Sequence, residues 1–386
     1  FHEQVIQIIA TMTGVSLATA DEKRRSLGER VGQQEVCDWF FPAATAKGYE
    51  LPIINEIWDV LRAFASFGFC KAHAAAFALP TYQSAWLKTH YPAAFLAGVL
   101  THDPGMYPKR LIVDEARQMG IAIAPLDVNA SDSVYRVEDH GNAIRIALST
   151  VAGISDGEVQ SIIAARPYID LNDFVRRSGS STPVTESMIL TGAFDALHAD
   201  VNRRDLLLHF SHLQKSPSAA VSGAQMNLGF DPPALISSGL PAMSAAESVK
   251  YEVDRLGIDM SRHMIEFYGD FLNAIGAVRS SDLLKQRSQS SVLVAGIKVA
   301  MQTPPVRSGK RVIFVTLDDG YGLSDSTFFT DVQGEYANVL YSTSLLLVRG
   351  ITRRTGARGI SIRATGAWDL RAAYESWSTK QSTLAI

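Results

Sequence analysis

Between Lys298 and Arg363 the sequence places nine basic residues and only five acidic ones, inside a chain whose formal net charge is −3. The aromatic residues Phe314, Tyr321, Phe328 and Phe329 lie among them. Cations hold phosphates and flat rings stack on bases, so this mixture suits a surface for single-stranded nucleic acid. Alternation along a strand lets only some of those rings face outward, and Phe314 and one of Phe328 and Phe329 are expected in the core. Arg353, Arg354 and Arg358, grouped around Gly356, are the expected contacts to a nucleic-acid backbone; the competing reading is a solvated loop. The overall negative charge weighs against nucleic acid, because chains that bind it usually show a basic excess.

No other arrangement of residues announces chemistry. There is no phosphate-binding Walker loop, no GxGxxG after a strand, no HExxH and no zinc-type cysteine spacing. Neither a catalytic group nor a metal site is expected within the chain. The two cysteines, Cys37 and Cys70, read as plain thiols of a reducing cytoplasm. No apolar run approaches the roughly 18 to 20 residues of a membrane helix, and no membrane partner is expected. The opening Phe1-His2-Glu3-Gln4 has neither an initiator Met nor a signal sequence, and is read as a cut inside a larger protein.

The elements that must position these residues change character along the chain. Residues 1–127 carry helical periodicity, with Val5, Ile8, Ile9 and Met12 on one face of a first helix. A second helix is expected to start near Thr19-Ala20-Asp21 and run to Ala46, with Gly48 ending it. Helices follow at Leu51–Phe67, at Ala74–Leu100, broken or kinked near Pro80 and again at Tyr91-Pro92, and at Pro108–Met119. Phe77 and Tyr82 are expected in a core. Residues 128–214 form shorter elements, and 215–250, rich in Ser, Ala, Gly and Pro, read as a flexible linker. Strand periodicity begins at Ser291. Five candidate strands, Val292–Val299, Val312–Leu317, Leu323–Phe329, Leu345–Gly350 and Ser361–Gly366, with a helix at Asp331–Leu340 before the fourth, give the element order of an OB-fold barrel.

The stretch from Phe67 to Pro92, with Lys71-Ala72-His73 and Tyr82-Gln-Ser-Ala-Trp86-Leu-Lys-Thr-His-Tyr-Pro92, resembles the fingers signature of bacterial C-family (DnaE-type) DNA polymerases, the DNA polymerase III alpha family. Ala20-Asp21 followed by Arg24, Arg25 and Gly28 is similar to the family's fingers helix with paired arginines. Pro125-Leu-Asp-Val-Asn129 and Leu190-Thr-Gly-Ala-Phe-Asp195 resemble elements around its helix-hairpin-helix region. The similarity is strong over residues 1 to about 210 and looser in the barrel. His102-Asp-Pro-Gly-Met-Tyr-Pro108 looks more like the error-prone, ImuC-type branch than the replicative one.

This resemblance implies a multidomain α+β chain: helical fingers (1–127), a helix-hairpin-helix module (128–214), a linker (215–250), a helical lead-in and OB-fold (251–370) and a C-terminal tail (371–386). It implies that Arg24, Arg25, Lys71 and His73 face the phosphates of an incoming dNTP, where arginine offers a fork of donors and lysine a point charge. Gly153-Ile154-Ser155 stands where the family's hairpin presents backbone N–H groups to a DNA phosphate, with Ser155 replacing a second glycine. Gln225, Leu228 and Phe230 resemble a sliding-clamp-binding peptide, in which two apolar anchors enter a pocket and Gln225 hydrogen-bonds. The parent protein is then a DNA-directed DNA polymerase, a nucleotidyltransferase of translesion synthesis and repair in the bacterial cytoplasm. It would use Mg2+ held by carboxylates outside this chain, and would meet primer–template and single-stranded DNA, dNTP, the clamp and other accessory proteins. The chain by itself is expected to be inactive. Two other readings are a fragment of the replicative alpha subunit and a non-enzymatic DNA-binding scaffold built from the same modules.

Overall fold

The structure, a computed structural model, describes residues 1–64, 69–103, 105, 107–215, 235, 237–304 and 311–384. The chain divides into two compact units, Phe1–Thr89 and His90–Ile386.

The first unit is helical: α1 (His2–Thr13), α2 (Leu17–Ser26), α3 (Arg30–Ala46), α4 (Leu51–Phe64) and α5, which covers Lys71–His90. Ser16 caps α2 by accepting a hydrogen bond from the Thr19 amide at 3.2 Å, so this helix begins earlier than Thr19. It also ends earlier. The chain turns at Leu27–Glu29 and restarts as α3, so the single helix expected to reach Ala46 is two. The turn lets Leu27 drop into a core with Ile9, Phe40, Ile54 and Leu61, all fully buried. Phe40 and Trp58 pack there with ring centroids 5.9 Å apart. Helix α5 has no buried residue and runs through Pro80 without a break. Phe77 and Tyr82 are 58% and 68% exposed, which corrects their expected place in a core.

In the second unit, α6 (Pro92–His102) and α7 (Lys109–Gln118) lead into a small sheet. Its strands are β1 (Ala122–Ala124), β2 (Arg136–Glu138) and β3 (Ala143–Arg145), with β3 central, parallel to β1 and antiparallel to β2. Helices α8 (Asp156–Ala164), α9 (Leu171–Arg177), α10 (Thr182–Leu190), α11 (Arg203–Lys215) and α12 (Ala245–Leu256) follow. Leu96, Leu100 and Val113 from α6 and α7 share one core with Ile144, Ile162, Phe174, Met188 and Phe194. Ser237 and Ser238 hydrogen-bond the Asp205 carboxylate at the start of α11.

A short helix, α13 (Gly269–Ala274), precedes the barrel strands β4 (Ser291–Gln302), β5 (Ile313–Asp318), β6 (Leu323–Phe328), β7 (Leu345–Arg354) and β8 (Ile360–Asp369). They close in the order β4-β5-β6-β8-β7, with α14 (Thr330–Ser342) between β6 and β7, an OB-like barrel. A final helix, α15, covers Leu370–Leu384. Ile313, Val315 and Leu317 alternate inward on β5, and this phase puts Phe314 outside, 42% exposed. Phe314 is therefore not the core residue expected. Of the other pair, Phe328 is fully buried and Phe329 is 39% exposed. At the irregularity between Arg349 and Gly350, β7 and β8 approach so closely that a Cβ on Gly350 would lie 2.4 Å from Ile362 Cγ2 and 2.5 Å from the Arg363 carbonyl oxygen.

Candidate nucleic-acid interface

The exposed ring of Phe329 sits at the entrance to α14, where the start of that helix meets β7 and β8. Here Gln289, Phe329, Thr330, Asp331, Arg353 and Arg363 line a groove of about 560 Å³. The Arg363 guanidinium lies over Phe329 at 5.7 Å and reaches Asp331 at 3.2 Å. A cation held over a ring beside open space matches what a stacked base and its phosphate need. The three arginines singled out in sequence divide here. Arg353 lines the groove. Arg354 turns to the loop before β4, where its Nη2 donates to the Leu284 and Gln286 carbonyls. Arg358 is exposed in the turn between β7 and β8.

The hairpin turn forms around Gly153, whose φ of +81° lies in the region favouring glycine. Ser155 is the N-cap of α8, its Oγ accepting from the Glu158 amide at 3.3 Å. The Glu158 carboxylate accepts from the Ser155 amide and hydroxyl, at 2.9 and 2.8 Å, and from the Ser181 amide at 2.9 Å. These donors, the Ser155 amide foremost, hold Glu158 at a pKa of about 2. Ser155 therefore anchors the turn through Glu158, and Glu158 ties the start of α8 to the start of α10.

In the first unit the expected phosphate grips form two pairs. Arg24 and Arg25 both bind Asp21, each at 2.8 Å, with Arg24 mostly covered and Arg25 exposed. Their hydrogen bonds, that of Arg24 first, pull the Asp21 pKa below its ordinary value. Lys71 and His73 lie in the first turn of α5, with the His73 ring 5.3 Å from Phe69 and 4.5 Å from Phe77. Among the described residues, no hydrogen bond or ion pair joins the two pairs. The start of α5 is itself filled. Both Glu3 carboxylate oxygens accept from the Lys71 amide at 3.0 Å, and Oε1 also accepts from the Ala72 amide at 3.5 Å. The Lys71 amide is the main reason that Glu3 titrates at about 2.

Because the folded pKa of Glu3 is depressed, its contribution is present above the ordinary carboxylate range and lost as pH falls towards 2. Glu3→Gln is expected to accelerate hydrogen exchange at the Lys71 and Ala72 amides and to remove this acid dependence. Unchanged exchange at those two amides would rule out the cap.

A buried polar cluster joins β5 to the helices before the barrel. His263 Nε2 is 3.5 Å from Asp114 Oδ2 and 3.6 Å from Asp318 Oδ2. Sequence reasoning missed this cluster, whose members are spread from residue 114 to residue 318 with no local spacing to reveal them. Gln225, Leu228 and Phe230 lie outside the described residues.

Residues 120–206, from β1 to the start of α11, match a family model described as a helix-hairpin-helix motif. Along nearly its whole length the chain is also similar to bacterial polymerases. It is 31% identical to an error-prone DNA polymerase of Symbiobacterium thermophilum, over 94% of this chain and 38% of that protein. It is 31% identical to the DNA polymerase III subunit alpha of Pasteurella multocida, over 91% of this chain and 32% of that one. An error-prone DNA polymerase of Bdellovibrio bacteriovorus matches at 29%, over 92% and 35%. The chain spans about a third of the length of these curated relatives. It is a homologue of part of the DnaE-type bacterial DNA polymerases.

Proposed function

We propose that this chain is the DNA- and nucleotide-holding C-terminal part of a bacterial DNA-directed DNA polymerase acting in translesion synthesis and repair. The observation that carries this reading is the similarity to such polymerases over more than nine-tenths of the chain, across both units. In it, the first unit supplies fingers, with Arg24, Arg25, Lys71 and His73 turned to the dNTP phosphates. The turn at Gly153–Ser155 meets the DNA backbone, and the barrel groove takes single-stranded template. Gln225, Leu228 and Phe230 would engage the sliding clamp. The error-prone branch is preferred on the His102–Pro108 segment; a replicative relative matches at the same 31% identity.

Nucleotidyl transfer uses divalent ions, here Mg2+, held by carboxylates beside the triphosphate. The carboxylates nearest the proposed phosphate grips do not fit that duty, since Asp21 is engaged by two arginines and Glu3 by the start of α5. The resemblance to the polymerase family implies that the metal ligands lie outside this chain, and no catalytic step is assigned to its residues.

The test is fluorescence anisotropy of the chain with labelled primer–template and single-stranded DNA across a salt series. Affinity is expected to fall linearly on a log–log plot against salt. Replacing Arg353, Arg354 and Arg358 together by Ala should flatten the single-strand slope by up to roughly 2, at about 0.7 per lost phosphate contact. No binding at low salt would refute the reading for this chain and leave a protein-docking scaffold.

A further inference from the structure

Four ionisable side chains are enclosed where β5 meets the helices before the barrel. Asp114 on α7, Asp259 and His263 on the segment after α12, and Asp318 at the end of β5 are each at most 3% exposed. Among the described residues the one cation facing them is Arg117, whose Nη1 lies 2.6 Å from Asp114 Oδ1 and whose Nη2 donates to the Asp259 and Met260 carbonyls. Asp318 Oδ1 accepts from the Gly320 amide at 3.0 Å, and the Asp259 carboxylate accepts from the Met264 amide at 3.4 Å. Among the described residues, Asp114 Oδ2, Asp318 Oδ2 and His263 Nε2 have no hydrogen-bond partner, and they converge within 4.8 Å of one another.

The ring orientation says which small species belongs between them. His263 Nδ1 accepts from the Ile265 amide at 3.2 Å, so in the neutral ring the proton is on Nε2. A nitrogen that binds a metal must present a lone pair, and its ring normally donates from the other nitrogen. Here the other nitrogen accepts, which favours a proton over a cation. A second proton on the ring would sit at Nδ1 and deprive the Ile265 amide of its acceptor. Burial acts to lower the ring's pKa, but Asp318, Asp114 and Asp259 outweigh it and raise it; the Ile265 amide at Nδ1 is the geometric ground for placing the labile proton on the carboxylates instead. Three of them face one guanidinium in a site closed to water, where an unpaired charge is expensive.

We propose that Asp114 and Asp318 share one labile proton beside His263 Nε2–H, and that this proton latches the barrel onto α7 and the segment after α12. Protonated, one carboxyl donates to the other carboxylate across the junction. Deprotonated, two buried anions face each other between α7 and β5. Burial, foremost, raises Asp114 to a pKa of about 7. Burial also acts to raise Asp318, but the His263 hydrogen bond and the Gly320 amide outweigh it and hold that carboxyl low. The proton is thus carried by Asp114. Its folded pKa is raised, so the stabilisation is full in acid and lost as pH rises through about 7. The depressed Asp318 has the opposite sign and fails only in stronger acid. This inference does not depend on the polymerase reading.

The test is hydrogen exchange of the full chain at about pH 6 and about pH 8.5, on either side of that titration and corrected for intrinsic rates. Peptides covering 109–118, 258–266 and 313–320 should lose protection at the higher pH by about tenfold, the worth of one pKa unit. Asp114→Asn, which donates an N–H and cannot ionise, should keep protection at both pH values. Asp318→Asn serves the same purpose should the first variant not fold. Nitrogen NMR of His263 should show the proton on Nε2. Protection independent of pH in the unaltered chain, or a proton on Nδ1, would overturn the latch. So would a melting temperature raised by Zn2+ in the unaltered chain but not in Asp114→Asn, which would make the cluster a cation site.

Discussion

Phe329→Ala is expected to weaken binding of single-stranded DNA by about 5- to 150-fold, the equivalent of roughly 1–3 kcal/mol for the loss of one base-stacking ring. The ring is exposed at the mouth of the barrel groove, with the Arg363 guanidinium above it and Arg353 along the same wall. Its neighbour Phe328 points into the barrel and is untouched, so the fold should persist. Arg363→Ala in the same background should cost less than it does alone, because the cation and the ring act on one base and their effects are coupled. Phe314→Ala removes a ring of similar exposure on β5 that does not line the groove, and should leave affinity nearly unchanged. Anisotropy with a short labelled oligonucleotide separates these cases. Equal loss from Phe314→Ala and Phe329→Ala would mean that the groove has no special part in binding.

The second large effect is on stability. Gly350→Val is expected to cost about 3 kcal/mol, the upper end of the overpacking range, because the added atoms have nowhere to go. A Cβ there meets Ile362 Cγ2 and, worse, the Arg363 carbonyl oxygen. That oxygen belongs to β8, whose pairing with β7 fixes the separation of the two backbones. The strands would have to part where the barrel closes. Gly334→Ala provides the opposite sign. That glycine lies on the exposed side of α14 with nothing within 4 Å of its added methyl, so alanine should stabilise by about 0.5–1 kcal/mol. Urea titrations of both variants give the comparison. Similar midpoints would show that the β7–β8 approach is not a constraint on the barrel.

The barrel was legible in sequence because its pattern is local. Val292 and Val294, then Ile313, Val315 and Leu317, repeat every second residue, and the helix before β7 carries its own period. The phase at Phe314 was not legible, since an aromatic residue counts as apolar wherever it stands. It took the neighbouring Ile313 and Val315 to claim the inside. The same limit misplaced Phe77 and Tyr82. Ala74–Leu79 has no polar face, so its periodicity cannot say which side is covered. The break between α2 and α3 is marked by neither Pro nor a cluster of turn residues, and depends on Leu27 reaching a core assembled from α1, α3 and α4. Arg24, Arg25, Lys71 and His73 could be named from a resemblance, but not the acids that answer them. Asp21 is three residues from Arg24 and ordinary on any helix, whereas Glu3 meets Lys71 only once the chain has folded back. The Asp114–His263–Asp318 cluster is the extreme case, because none of its members is unusual in its own stretch of sequence.

The Glu3 carboxylate at the start of α5 has a consequence for any anion offered to that helix. The first amides are already spoken for, by a negative charge tethered to the same chain and therefore present at high effective concentration. A newcomer must evict it, and its apparent affinity falls by the fraction of time the seat is taken. A singly charged anion brings no more charge than the carboxylate it must displace. A polyphosphate that can also reach Lys71 brings several charges at once. Any anion that docks at this helix end must therefore first displace Glu3, so Glu3 sets how much charge a competitor needs.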